Sequence, residues 1–113
     1  MSLRVRGAVL SDDAVVSIVR GAVATVDGAR LDRPSRIARV LPGRRGAVEW
    51  RTDADGIRFD VDVAVVYGLP LPGTAERVRG SVASAIGSMT GLNVRAVDVT
   101  VTGLDRTEPG DRP

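Results

Sequence analysis

The chain has 113 residues, 16 basic and 14 acidic side chains, and a formal net charge of +2. This length fits one domain, and the absence of cysteine and histidine excludes disulfides, thiolate catalysis, the usual zinc sites and histidine acid–base chemistry. All 16 basic residues are arginine, so the sequence pI near 10.3 reflects guanidinium chemistry more than an excess of positive charge.

The N-terminal third predicts a strand followed by a helix. Apolar and polar residues alternate over 3–9, which is typical of a strand with one buried face. Ser11 is a good N-cap, Asp12 and Asp13 suit the positive end of the helix dipole, and we expect Gly28 to end the helix. The expected buried stripe consists of Val15, Ile18, Val19, Ala22, Val23 and Val26.

The stretch 29–46 is irregular and rich in arginine. It has breakers at Pro34 and Pro42, and 43–46 has the spacing of the GxxG loop with which KH domains clamp a nucleic-acid backbone. Because no helix-loop-helix pattern surrounds this loop, we expect a solvated turn. It remains the best candidate for binding phosphates or anionic headgroups. The arginines concerned are Arg33, Arg36, Arg39, Arg44 and Arg45.

The second half predicts a hairpin, a helix and a last strand. Asp55-Gly56 separates two alternating runs, which indicates a hairpin turn; a calcium loop would need a glutamate where Ala64 stands. A helix is expected from about 72 or 73 to Thr90, with Met89 in its buried stripe and Gly91 ending it. Alternation around Val99 predicts the final strand.

The element order β-α-β-β-α-β predicts an α/β (α+β) fold. Each strand has one apolar face, so two helices should cover one face of a mostly antiparallel or mixed four-stranded sheet, as a two-layer sandwich. We expect one domain over residues 1–104 and a disordered tail over 105–113, which is polar and contains proline and glycine.

The polar face of the longest predicted strand is the candidate interaction surface. Arg58, Asp60 and Asp62 point the same way along it, and Arg4 and Arg6 occupy the equivalent face of the first predicted strand. Cross-strand ion pairing explains these charges without catalysis, although two nearby carboxylates could also share a proton or a metal ion.

Aromatic residues are expected in the interior. Phe59 and Trp50 have the apolar parity of their strands, and we expect Tyr67 to pack on the second helix. No aromatic side chains are therefore left on the polar face for stacking nucleic-acid bases. No nucleotide-binding or nucleophile motif is present, so we expect neither enzymatic activity nor a cofactor.

Several short motifs occur in order between residues 4 and 104. They are Ser11-Asp12, Val26-Asp27-Gly28, Tyr67-Gly68, Met89-Thr90-Gly91 and Val97-Asp98-Val99. This ordered set resembles the alkaline shock protein family, also grouped as the Gls general-stress family, of bacterial envelope stress response proteins.

The resemblance implies a non-catalytic protein that acts by association. Its members assemble with themselves or with relatives, and some are held at the membrane by a small membrane-anchored protein. We therefore expect a self-associating or partner-binding scaffold in the cytoplasm, membrane-associated through a partner and without direct insertion, because no apolar run approaches ~20 residues. The alternative is a module that binds nucleic acid or an anionic surface through Arg33–Arg45, although nucleic acid is not the partner that we favour.

Overall fold

The computed structural model describes residues 2–32 and 46–106. In chain order, the elements of these segments are β1 (Ser2–Val5), β2 (Ala8–Ser11), α1 (Asp12–Ala24), β3 (Ala29–Leu31), β4 (Val48–Asp53), β5 (Gly56–Val66), α2 (Leu71–Thr90) and β6 (Val94–Asp105). The arginine-rich segment Arg33–Arg45 lies outside the described residues, as does 107–113 of the expected tail. Strand β6 includes Asp105, where we expected the tail to begin.

Strand β5 is the centre of a mixed four-stranded sheet. Strand β6 pairs parallel to it from Ile57 to Val66, whereas β4 and β3 pair antiparallel to it. Since a strand has only two edges, β4 and β3 lie one after the other along the edge opposite β6. The predicted α+β class, with two helices and a mixed four-stranded sheet, is confirmed.

The alternation along β5 divides the sheet into a buried face and an open face. The odd-numbered side chains from Ile57 to Val65 are fully buried and share one core with α1 and α2. Burial of each large apolar side chain contributes about 1.5–3 kcal/mol, so this face fixes where both helices pack. Trp50 on β4 packs at a tilt against Phe59, with ring centroids 6.3 Å apart, as the strand parity predicts.

The expected first strand is instead a hairpin. A turn at Arg6 and Gly7 reverses the chain, and Gly7 takes a φ of 78°, which glycine adopts without steric cost. Strands β1 and β2 form a separate two-stranded sheet in which Leu3 is buried. The short strand β3, which the irregular pattern of 29–46 did not predict, is instead the fourth strand of the main sheet.

Helix α1 begins as predicted but ends early. The Ser11 hydroxyl accepts a hydrogen bond from the backbone N–H of Ala14 at 3.1 Å, which confirms the N-cap. The helix stops at Ala24, so Gly28 does not end it. Gly28, with φ 80°, instead belongs to the turn that leads into β3.

Helix α2 packs on the same face of the sheet beside α1. Gly91 ends it in the left-handed conformation with φ 75°, as expected. The buried stripe recurs every fourth residue, so Met89 falls outside it and is 69% exposed, contrary to our prediction. The hydroxyl of Ser81 joins the helices by donating to the carbonyl of Ala22 at 2.7 Å. The stripe consists of Thr74, Val78, Val82 and Ile86.

Candidate interaction surface

The sheet face opposite the helices, termed the open face, carries most of the predicted surface residues. The even-numbered side chains Arg58, Asp60 and Asp62 of β5 lie on it, as their spacing predicts. Strand pairing adds side chains from β4 and β6 on either side of β5. These added residues are Glu49, Arg51, Ala96, Asp98 and Thr100.

Strand register sorts the charges of the open face into rows of one sign. Arg58 is opposite Arg51 on β4, which we term the arginine row. Asp60 is flanked by Glu49 on one side and Asp98 on the other, which we term the acidic row. Cross-strand pairing therefore does not match opposite charges here. Like charges directly opposite each other, as in the pairs Arg58–Arg51 and Asp60–Asp98, cost up to about 1 kcal/mol, so these two pairs favour a partner of the other sign.

A second charged cluster lies at the far end of the open face, where β3 and β6 flank β5. The guanidinium of Arg30 donates two hydrogen bonds to the carboxylate of Asp105, both at 2.8 Å. These bonds lower the pKa of Asp105 and raise that of Arg30. The hydroxyl of Thr102 donates to Asp32 at 2.7 Å. The sequence missed this cluster because β3 has only three residues and Asp105 fell in the expected tail.

Two further predicted arginines of the interaction surface are not part of the open face. Arg4 and Arg6 belong to the separate β1–β2 hairpin, so the expected equivalence with the face of β5 is wrong. The cause is the reversal at Gly7, which removes this segment from the main sheet. The anion-binding candidates Arg33, Arg36, Arg39, Arg44 and Arg45 lie outside the described residues.

The two carboxylates of β5 do not line either of two cavities formed by described residues. One cavity lies beside the β4–β5 hairpin and the other between α1 and α2, and neither includes Asp60 or Asp62. Within residues 2–32 and 46–106, no group of three or more acidic side chains is arranged to hold a metal ion. The segment Asp53–Gly56 forms the turn between β4 and β5, in which Asp53 accepts backbone hydrogen bonds.

Tyr67 lies at the end of β5, next to the end of β6. Its backbone N–H donates to the carbonyl of Asp105 at 2.7 Å, and its side chain is 70% exposed. The ring therefore does not pack on α2 as we expected. Leu104 is half-exposed on the neighbouring strand, so the end of the sheet presents some apolar surface.

Neither described helix is long and apolar enough to cross a membrane. A family model described as the alkaline shock protein 23 family, of cell envelope-related function, matches residues 4–106. No curated protein matches the chain. Among solved structures, the zinc form of a MamM CTD variant is similar, with 17% identity, coverage of 88% of this chain and 89% of that chain, and a TM-score of 0.48.

Proposed function

Because the chain belongs to the alkaline shock protein 23 family, of cell envelope-related function, we propose that it is a non-catalytic protein of the envelope and alkaline stress response. It acts as a scaffold that associates with itself and with protein partners. The absence of histidine and cysteine from the sequence removes the commonest catalytic groups and supports this proposal.

The observation that carries the proposal is the pair of oppositely charged rows on the open face. The arginine row and the acidic row are two residues apart along β5, which corresponds to roughly 7 Å. Two copies that face each other across a two-fold axis can bring the arginine row of each against the acidic row of the other. Such an arrangement is isologous, as in most homodimers, and each charge contact occurs twice.

A charge-swap experiment tests self-association through this face. Arg58→Asp and Asp60→Arg each place like charges opposite one another in the dimer, and each should weaken association about tenfold or more. The double variant exchanges the two signs and should restore association. Sedimentation velocity at about 0.05 M and about 0.5 M salt measures the dissociation constants, and high salt should weaken the wild-type dimer.

Arg20→Asp is the matched control for the swap. Arg20 is exposed on α1, on the opposite side of the sheet, so reversing its charge should leave association unchanged. A wild-type chain that stays monomeric at millimolar concentration contradicts self-association. Single variants that associate as tightly as the wild type contradict the use of the open face.

We further propose that the protein lies in the cytoplasm and reaches the membrane through a small membrane-anchored partner. Co-expression with a small membrane protein encoded by a neighbouring gene provides the test. The chain should sediment with membranes only when that partner is present, and protein-free vesicles should not sediment it. Sedimentation with vesicles alone would contradict recruitment by a partner.

Binding to nucleic acid or an anionic surface through Arg33–Arg45 is the second candidate, favoured by the five arginines of that segment. The acidic row makes the open face itself unsuited to a phosphate backbone. Gel-shift and vesicle sedimentation assays at low and high salt distinguish the candidates. Salt-sensitive binding that disappears in the variant with Arg44→Gln and Arg45→Gln would favour the second candidate.

A further inference from the structure

A cavity of about 750 Å³ lies between β1 and the β4–β5 hairpin, near the end of α2. Its volume is within the range of about 300–1,000 Å³ that ligand sites in proteins occupy. The open face lies on the main sheet alone, and it shares Arg51 of the arginine row with this cavity. This cavity instead joins the main sheet to the separate β1–β2 hairpin, and its lining combines apolar and charged residues.

The apolar part of the lining comes from the protein core. Leu3 and Ile57 are almost completely buried members of that core, and Trp50 and Leu92 are partly buried against it. Trp50 is held in place by its contact with Phe59. The exposed parts of Trp50 and Leu92 therefore offer an apolar surface for one or two side chains of a ligand, and the buried Leu3 and Ile57 support it.

The acidic residues of the cavity already interact with groups of the protein itself. The guanidinium of Arg95 lies 3.4 Å from a carboxylate oxygen of Asp53 and 3.4 Å from one of Asp55. The Asp53 carboxylate also accepts hydrogen bonds from the backbone N–H groups of Asp55 and Gly56. The N–H of Asp55 and the charge of Arg95 lower the pKa of Asp53, so it stays ionised and paired with the turn.

Two arginines that line the cavity have no such compensation. Within residues 2–32 and 46–106, the guanidinium groups of Arg4 and Arg51 make no hydrogen bond and no ion pair. Arg51 is moreover directly opposite Arg58 across the β4–β5 pair, so an anion placed beside it would relieve a repulsion. The charge available to a ligand in this cavity is therefore positive, next to an apolar surface.

We propose that the cavity binds an acidic, apolar peptide segment of a protein partner. An aliphatic or aromatic side chain of the segment packs on Trp50 and Leu92, and a neighbouring carboxylate is bound by Arg4 and Arg51. The inference rests on the proposed scaffold function and specifies the chemistry of one partner. An anionic membrane is disfavoured as the ligand for two reasons. The carboxylates of Asp53 and Asp55 lie on the rim of the cavity and would repel anionic headgroups. Only two arginines of the described lining lack a partner, whereas anionic lipid surfaces are recognised by clusters of about 4–8 basic residues.

Trp50 is the only tryptophan of the chain, so its fluorescence reports on the cavity directly. The test titrates the full chain with the peptide acetyl-Asp-Leu-Asp-Leu-amide. We expect a blue shift of Trp50 emission as the leucine side chains exclude water. The charge-reversed acetyl-Lys-Leu-Lys-Leu-amide and the less apolar acetyl-Asp-Ser-Asp-Ser-amide should produce no shift.

The variant with Arg4→Gln and Arg51→Gln should bind the acidic peptide at least about tenfold more weakly. Both side chains are exposed, so circular dichroism should show an unchanged fold. Arg6→Gln is the matched control, since it removes the same charge from the hairpin without lining the cavity, and should leave the affinity unchanged. Equal binding of the lysine peptide, or no shift with the acidic peptide, would overturn the proposal.

Vesicles of phosphatidylglycerol form the other arm of the experiment. In one outcome, the chain sediments with these vesicles through Arg4 and Arg51 and fails to bind the acidic peptide. That result would overturn the peptide proposal and identify the ligand as a lipid. The variant with Asp60→Arg alone distinguishes the two proposals, because Asp60 does not line the cavity and is opposite neither Arg4 nor Arg51, so the change targets self-association. Peptide binding without self-association contradicts only the scaffold dimer. Self-association without peptide binding contradicts only the peptide site.

Discussion

Two single residues, Gly56 and Ser11, determine the local structure at positions that the sequence predicted. Gly56 starts β5 with a φ of 144°, and a Cβ built on it would be 2.1 Å from the carbonyl oxygen of Asn93. Both the conformation and the space at this position therefore require glycine. Ser11 satisfies the N–H of Ala14 at the start of α1, a group that has no acceptor within the helix.

Gly56→Ala should lower the free energy of unfolding by about 2–3 kcal/mol, because the Cβ clashes with the backbone before β6 and the φ is strained. Gly80→Ala is the control, since a Cβ there meets nothing within 4 Å and φ is helical. That change should stabilise the protein by about 0.5–1 kcal/mol. Urea unfolding measures both, and equal effects of the two variants would contradict the geometry at Gly56.

Ser11→Ala should cost about 1 kcal/mol of stability, because the N–H of Ala14 loses its acceptor. Ser17→Ala removes an exposed hydroxyl from the interior of the same helix and should cost nothing, since alanine is the better helix former. Thermal unfolding followed by circular dichroism compares the two variants. A Ser11→Ala protein as stable as Ser17→Ala would show that the cap contributes nothing.

Pairs of elements are joined by side chains that are distant in the sequence. Arg30 of β3 and Asp105 of β6 are 75 residues apart, and they meet across β5 in a two-bond contact. No local pattern connects them, because a three-residue strand has too little alternation to be recognised and its partner lies near the end of the chain. By contrast, the Asp55-Gly56 hairpin and both helices were predictable, since their signals lie within a few residues.

Asp105→Asn should lower the free energy of unfolding by about 0.5 kcal/mol at neutral pH, a small effect because both side chains are more than one-third exposed. The contact lowers the pKa of Asp105, so its stabilisation is complete above the unfolded pKa of about 4 and is lost as the pH falls through the lower folded pKa. Urea unfolding of wild type and variant from about pH 7 to about pH 2 should show the two curves converge. A difference that persists in acid would contradict the ionic origin.

At the scale of the whole molecule, the outer edge of β6 is the longest strand edge left without a paired strand in the described segments. An unpaired edge is a template for pairing with another chain. Arg79 of α2 reaches this edge and donates from Nε to the carbonyl of Val97 at 3.0 Å. The guanidinium therefore occupies an acceptor that a second strand would need, and it places a charge there.

Arg79→Ala should expose this edge and promote association through β-strand pairing. Light scattering at high protein concentration should rise faster than in the wild type, and amide exchange at Val97 to Val101 should slow in the aggregate. Arg77→Ala is the control, because Arg77 lies on the same helix and contacts Thr74 instead of the strand. Equal scattering by the two variants would contradict a protective role of Arg79.

The sequence by itself determined the helices, the buried parity of β5, the turn at Gly56 and the cap at Ser11, because each depends on the period or chemistry of neighbouring residues. Only the tertiary structure decided that the first strand folds into a hairpin, that β6 runs parallel to β5, and that charges of one sign share a row. These features depend on which strand edges meet, and in what register. A shift of two residues would keep every side chain on its face and still change each charge that lies opposite another.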